Sequence, residues 1–123
     1  RDATSGTRDG FESILGIKEK CAYEAELPET GDVKAKISSD EAAIGYISFA
    51  SVSDGVKALQ VGGVTVSTDT IADNSYVIQR PFVHAYVKGT KDDLVLAYLD
   101  FLKTDKAQEL IESEHLVPVE FWK

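Results

Sequence analysis

The chain has 123 residues, 43% of them apolar and 28% charged, which fits one folded domain with a core and argues against disorder. A formal net charge of −8 and a sequence pI near 4.7 leave no basic face for nucleic acid, although a small anion answers to local donors rather than to overall charge. The single cysteine, Cys21, excludes an internal disulfide and a cysteine-based metal cluster, and no apolar run is long enough to span a bilayer.

The first predicted element is a helix from Thr7 to Leu15, with Phe11, Ile14 and Leu15 on one face and Gly16 at its end. Just before it stands Arg1-x-x-x-Ser5-Gly6-Thr7. The first N–H groups of a helix lack intrahelical acceptors and carry partial positive charge. Ser5 and Thr7 add hydroxyl donors, Gly6 admits a close backbone approach, and Arg1 brings a planar fork suited to paired oxygens. These are the parts of a site for a tetrahedral oxyanion. Ser-Gly-Thr is equally a plain helix cap, and both readings stay open on these residues alone.

A polar stretch from Lys18 to Gly31 follows, looped around Pro28, and then a short helix from Asp32 to Ser38 with Thr30 and Gly31 as capping candidates. Ala42 to Phe49 reads as a buried strand, and Val56 to Val61 as a second, broken by Gly62-Gly63. Val64 to Ser67 is a short third strand, followed by a turn or single helical turn around Asp69 to Asp73. Tyr76 to Val87 is strand-like, but Pro81 cannot donate to a ladder, so Arg80-Pro81 is read as a bend or a crossing between sheets. A helix from Lys91 to Lys103 carries Leu94, Val95, Tyr98, Leu99, Phe101 and Leu102 as a broad buried face. Thr104 caps a last helix from Asp105 to Glu114 with Ala107, Leu110 and Ile111 inward, and Pro118 ends regular structure. Mixed strands and helices make the chain α/β or α+β.

Enzymatic chemistry finds little support. Ser5 lacks a Gly-x-Ser-x-Gly elbow, His84 and His115 have no metal-ligand spacing, and Asp92-Asp93 with Glu109, Glu112 and Glu114 read as solvated helix faces. Tyr46, Phe49, Tyr76 and Trp122 read as core or interface aromatics.

The order of several pieces points further. Arg-x-x-x-Ser-Gly-Thr-Arg-Asp-x-Phe at 1–11 is followed by Ala43-Ile44-Gly45-Tyr46-Ile47 and Val56-Lys57-Ala58-Leu59. Gln79-Arg80-Pro81-Phe82, Leu99-Asp100-Phe101-Leu102 and Val117-Pro118-Val119 then follow in order. Together they resemble the second lobe of the phosphate-binding proteins that serve phosphate ABC transporters. Arg8 and Phe11 tilt the match toward phosphate among related oxyanion binders. The resemblance implies a single lobe, 1–123, of a type II periplasmic-binding-protein-like fold, with a central mixed sheet flanked by helices. It assigns a half-site for inorganic phosphate to Arg1, Ser5, Gly6 and Thr7, without metal, cofactor or catalysis. It implies that a first lobe is missing and that this chain is a piece of a two-lobed solute-binding protein. That protein would be extracytoplasmic, in the periplasm or lipid-anchored at the cell surface, and would deliver phosphate to a membrane permease. Two alternatives stand beside it: a lobe of the same fold that binds nothing, and a binder of sulfate or tungstate. The chain departs from the family pattern at Ala3, where some members carry an acidic or polar residue that steadies the arginine, and in lacking the glycine common before the turn at Val117.

Overall fold

Ser5 sits in extended backbone (φ −73°, ψ 122°), and its side-chain oxygen accepts the N–H of Arg8 at 3.4 Å. That geometry starts a helix. In the computed structural model, which describes residues 1–118, α1 runs Gly6–Leu15, one residue earlier than the sequence predicts. Gly16 ends it in the left-handed region (φ 65°), and the N–H groups of Gly16 and Ile17 turn back to the carbonyls of Ser13 and Glu12 at 3.2 and 2.9 Å. This is the paired closure that a residue at positive φ permits, and only glycine adopts it without strain.

The second helix, α2, spans Thr30–Ser38 and begins two residues ahead of the predicted start. Glu29 precedes it without capping through its side chain, and Thr30 and Gly31 do not cap it because they are its first two helical residues; the Thr30 hydroxyl accepts from Arg1 instead. A short helix, α3 (Thr68–Ala72), stands where a turn or helical turn is expected. Ser67 and Thr70 cap it reciprocally: the Ser67 hydroxyl accepts the Thr70 N–H at 3.1 Å, and the Thr70 hydroxyl accepts the Ser67 N–H at 2.9 Å.

The predicted strands are not present as ladders among the described residues. Segments 42–49, 56–61, 64–67 and 76–87 run as irregular chain without a strand, and 49–51 form a 3₁₀ turn. Pairing is confined to one isolated antiparallel bridge, Val61 to Val64, with two 3.0 Å hydrogen bonds around Gly62-Gly63. Both glycines have positive φ (60° and 82°), as a two-residue hairpin turn requires. The physical reason for the difference is that β-branched, apolar runs report fitness for a pleated surface. They do not report whether a neighbouring strand is within reach.

Contacts divide the described chain into two units, the first Arg1–Arg80 and the second from Pro81 onward. The boundary falls at the dipeptide that the sequence marks as a bend, where Pro81 lacks an N–H. Within the second unit, α4 (Asp93–Phe101) and α5 (Asp105–Ser113) are both shorter than predicted. Asp92 caps α4 by accepting the N–H groups of Leu94 and Val95 at 3.0 and 3.1 Å, and Thr104 caps α5 by accepting that of Ala107 at 3.3 Å. Leu102 and Ala107 are buried, but the broad buried face expected of α4 is not: Leu94 is 83% exposed, and Tyr98 and Phe101 are open to solvent. In α5, Leu110 is exposed as well. Periodicity locates an apolar face, whereas burial needs something to cover it. In the first unit Val33 of α2 is the buried apolar side chain, and Ile14 and Leu15 lie at the exposed edge of α1. Val119 and Trp122 lie outside the described residues.

Candidate functional site

Residues 1–5 are held in one shape by short bonds. The Asp2 carboxylate accepts the Thr4 N–H at 3.1 Å and the Thr4 hydroxyl at 2.8 Å, and the Ser5 N–H returns to the Asp2 carbonyl at 3.2 Å. These bonds, the Thr4 hydroxyl first, hold the Asp2 carboxyl below its ordinary pKa. The Asp2 N–H donates to the Leu27 carbonyl at 3.0 Å, fastening this turn to the polar loop before α2. The loop thereby delivers Ser5, Gly6 and Thr7 to the start of α1.

Of the four free donors at that start, two are spoken for. Ser5 N–H goes to the Asp2 carbonyl at 3.2 Å and Arg8 N–H to the Ser5 hydroxyl at 3.4 Å. The N–H groups of Gly6 and Thr7 find no acceptor among the described residues. Ser5 is buried, and its hydroxyl, while accepting from Arg8, keeps its own proton to donate. The site therefore has outward-directed backbone donors, a hydroxyl and the positive end of a ten-residue helix.

Arg1 is ordered by side-chain and backbone partners. Its Nη1 donates to the Thr30 hydroxyl at 2.8 Å at the start of α2, its carbonyl accepts Arg8 Nη1 at 3.3 Å, and its α-amino group lies 3.4 Å from the Tyr46 hydroxyl. Burial, then the neighbouring Arg1 and Arg8 guanidinium groups, lowers the pKa of that amino group. Thr30 does the steadying that Ala3 cannot. Arg1 Nε is buried and has no partner among the described residues, so the guanidinium retains a donor unsatisfied by them. The structure thus places all four predicted residues in the first unit, three of them consecutive at the helix start and the fourth tied to it through Arg8.

Arg8 belongs to a different arrangement. Its Nε pairs with Glu12 at 2.7 Å and its Nη1 with Glu26 at 2.6 Å, while the guanidinium lies 4.7 Å from the centroid of the Tyr23 ring. Tyr23 donates its hydroxyl to Glu12 at 2.9 Å. Phe11 stacks on Tyr46 at 4.2 Å and 10°, and Tyr23 meets Tyr46 at 6.1 Å. The Glu12 carboxyl, hydrogen-bonded first by Arg8 and then by Tyr23, is held below the usual glutamate range. Burial, more than its hydrogen bonds, pushes the Tyr23 phenol up. With two carboxylates on it, Arg8 is a strut for α1 rather than an anion donor. The i,i+4 spacing of Arg8 and Glu12 was visible in the sequence. Tyr23, Glu26 and Thr30, in a loop without periodicity, carried no such signal.

Elsewhere His84 meets Tyr98 edge-on at 5.7 Å, His115 follows α5 at positive φ, and Cys21 is a half-buried free thiol. No cluster of three His, Cys, Asp or Glu able to hold a metal ion occurs among the described residues. None of their helices is long and apolar enough to cross a membrane.

No protein-family model matches the chain. It is similar to phosphate-binding proteins over nearly its whole length. "Phosphate-binding protein PstS 2" of Streptococcus pneumoniae is 31% identical over 126 residues, 95% of this chain and 43% of that protein. "Phosphate-binding protein PstS 2" of Streptococcus agalactiae is 27% identical over 130 residues (98% and 44%), and "Phosphate-binding protein PstS" of Bacillus subtilis 31% over 129 (97% and 40%). Among solved structures, an ABC-type phosphate transport receptor from Vibrio cholerae matches with a TM-score of 0.82 and 30% identity, over 96% of this chain and 50% of that one. The resemblance read from the sequence is borne out. The chain spans less than half the length of these curated relatives.

Proposed function

We propose that this chain, the counterpart of less than half of each curated phosphate-binding relative and of half of the phosphate receptor, is a single oxyanion-binding lobe (1–123) of an extracytoplasmic solute-binding protein. Its ligand is inorganic phosphate, held by Arg1, Ser5, Gly6 and Thr7, and its work is capture and delivery to an ABC permease, with no covalent step. The observation that supports this best is the pair of unpartnered N–H groups on Gly6 and Thr7 at the start of α1. A tetrahedral dianion satisfies such donors and the helix dipole together.

Each charge-assisted bond to phosphate contributes about 1.5–3 kcal/mol before desolvation. Four residues from one side leave much of the anion wet, so high affinity needs donors from the rest of the protein, closing over the ligand by a hinge. The acceptor for the phosphate proton, which separates phosphate from sulfate, is also assigned to that other part. In the intact protein the apolar segments 42–49, 56–61 and 76–87 join a central mixed sheet between helices.

The test is calorimetry of the intact protein with inorganic phosphate, sulfate serving as the control. Arg1→Ala is expected to weaken phosphate binding at least tenfold, and Ser5→Ala likewise. Unchanged affinity in Arg1→Ala rejects the site. One observation favours a second reading, a scaffold lobe without ligand: the Ser5 hydroxyl already acts as a helix cap. Amide resonances of Ser5, Gly6, Thr7 and Arg8 that stay unmoved during a phosphate titration would select it.

A further inference from the structure

Gly6 and Gly10 stand one turn apart on the same face of α1, and a single side chain fills the groove they leave. That side chain is Arg80. A Cβ on Gly10 would lie 2.5 Å from Arg80 Cδ and 3.2 Å from Nε, and a Cβ on Gly6 would lie 2.9 Å from Nη2 and 3.7 Å from Cζ. The stem thus rests against Gly10 and the guanidinium against Gly6. The arginine runs up the helix toward its N-terminus and ends at the first helical residue, beside the free N–H groups.

This placement has a cost that solvent around the exposed Arg80 and the nearby charge of Asp9 offset only in part. Two glycines weaken a short helix, since glycine is among the poorest helix formers. A cation at a helix N-terminus also opposes the dipole. Arg80 has no ion pair and no hydrogen-bond acceptor among the described residues. The nearby Asp9 is paired instead with Lys18 at 2.6 Å. Contrast Arg8, one turn away from neither glycine and neutralised by two carboxylates. An unpaired fork laid beside unpaired helix donors makes electrostatic sense when an anion joins them.

We propose that Arg80 is a further ligand-facing residue of the oxyanion site, a second guanidinium that the Gly6–Gly10 groove aims at a phosphate group held on the start of α1. The inference rests on the oxyanion reading of Arg1, Ser5, Gly6 and Thr7. It goes beyond that reading in adding a residue 65 positions beyond the end of the helix it serves and in giving Gly10 the task of admitting it. Arg80 adds charge where the ligand's charge concentrates, so it raises both affinity and the sensitivity of binding to salt.

The experiment is calorimetry of inorganic phosphate binding to the intact protein, at two salt concentrations, for the parent and for R80Q, R80K and G10A, with thermal melts of each. The expected result is a loss of at least tenfold in R80Q with a shallower salt dependence, and a loss of only a few-fold in R80K, which keeps the charge. G10A, whose added methyl evicts the Arg80 stem, should bind as weakly as R80Q while melting at the same temperature or higher. R80Q binding phosphate like the parent overturns the proposal. R80K as weak as R80Q, with both melting lower, also overturns it, because the arginine would then be only a strut. If R80Q does not fold, R80K and G10A decide by the same criteria. A parent protein that binds no phosphate at all overturns the oxyanion reading itself, and is told apart by needing no variant to see it.

Discussion

Glu12 is 6% exposed and faces an arginine and a phenol, which makes it the buried one among the carboxylates through which acid reaches the first unit, Asp2, Asp9 and Asp73 being the others held low. Its folded pKa lies below the unfolded value of 4.5, so it contributes stability above about pH 4.5 that is lost as pH falls through the folded value. Tyr23 runs the other way. Its folded pKa lies above 10.0, so its contribution is present below about pH 10 and is lost as pH rises through the folded value. Thermal melts across pH should therefore show both an acid and an alkaline decline. Glu12→Gln should flatten the acid arm, and Tyr23→Phe the alkaline one. An acid arm identical in Glu12→Gln would show that the Arg8 cluster is not what protonation breaks. Of this cluster the sequence displayed Arg8 and Glu12 at helical spacing, and Phe11 on the helix face. It could not display Tyr23, Glu26 or Tyr46 as partners, because nothing local links these residues to a helix 11 to 35 positions behind them. For the candidate site the situation is similar: Ser5, Gly6 and Thr7 were legible as a helix start, whereas Thr30 as the anchor of Arg1 was not.

Helices were legible because their signals are local. Ser5 and Thr104 each accept the N–H of a residue three positions on, and Gly16 sits where a left-handed residue follows α1, whereas Asp92, read as part of a solvated face, turns out to cap α4. Replacing Asp92 by alanine should cost about 1 kcal/mol, read as a lower melting temperature together with weakened amide protection in α4. Gly16→Ala should cost about 1–2 kcal/mol, since an L side chain must then hold φ 65°. No change in either melt would mean that the caps are decorative and that α1 and α4 are held by their faces. Strands were not legible in this sense. A ladder is a property of two segments, and the apolar runs at 42–49 and 56–61 name at most one of the two. The single bridge at Val61–Val64 formed where both halves lie in one local turn, which is why it alone was within reach of a reading by turn residues.

At the scale of the molecule, the second unit keeps Phe82, Val83, Val87 and Leu94 between 73% and 83% exposed. Apolar side chains in such number call for a covering surface. On the proposed reading as one lobe of a larger protein, the chain alone should bind a hydrophobic dye such as anilinonaphthalene sulfonate, and the intact protein should not. Equal dye binding by both would mean that these residues stay open throughout. The long-range bonds of the first unit carry another consequence. Arg1 waits for Thr30 and Tyr46, which lie 29 and 45 positions on, and the groove on α1 waits for Arg80. During synthesis at about 5–20 residues per second, Arg80 leaves the peptidyl-transferase centre roughly 4–15 s after Ser5. The helix start is therefore made early and completed late. For those seconds a nascent chain carries a bare pair of amides and an unlined glycine groove, the interval in which a ribosome-associated chaperone has the most to shield.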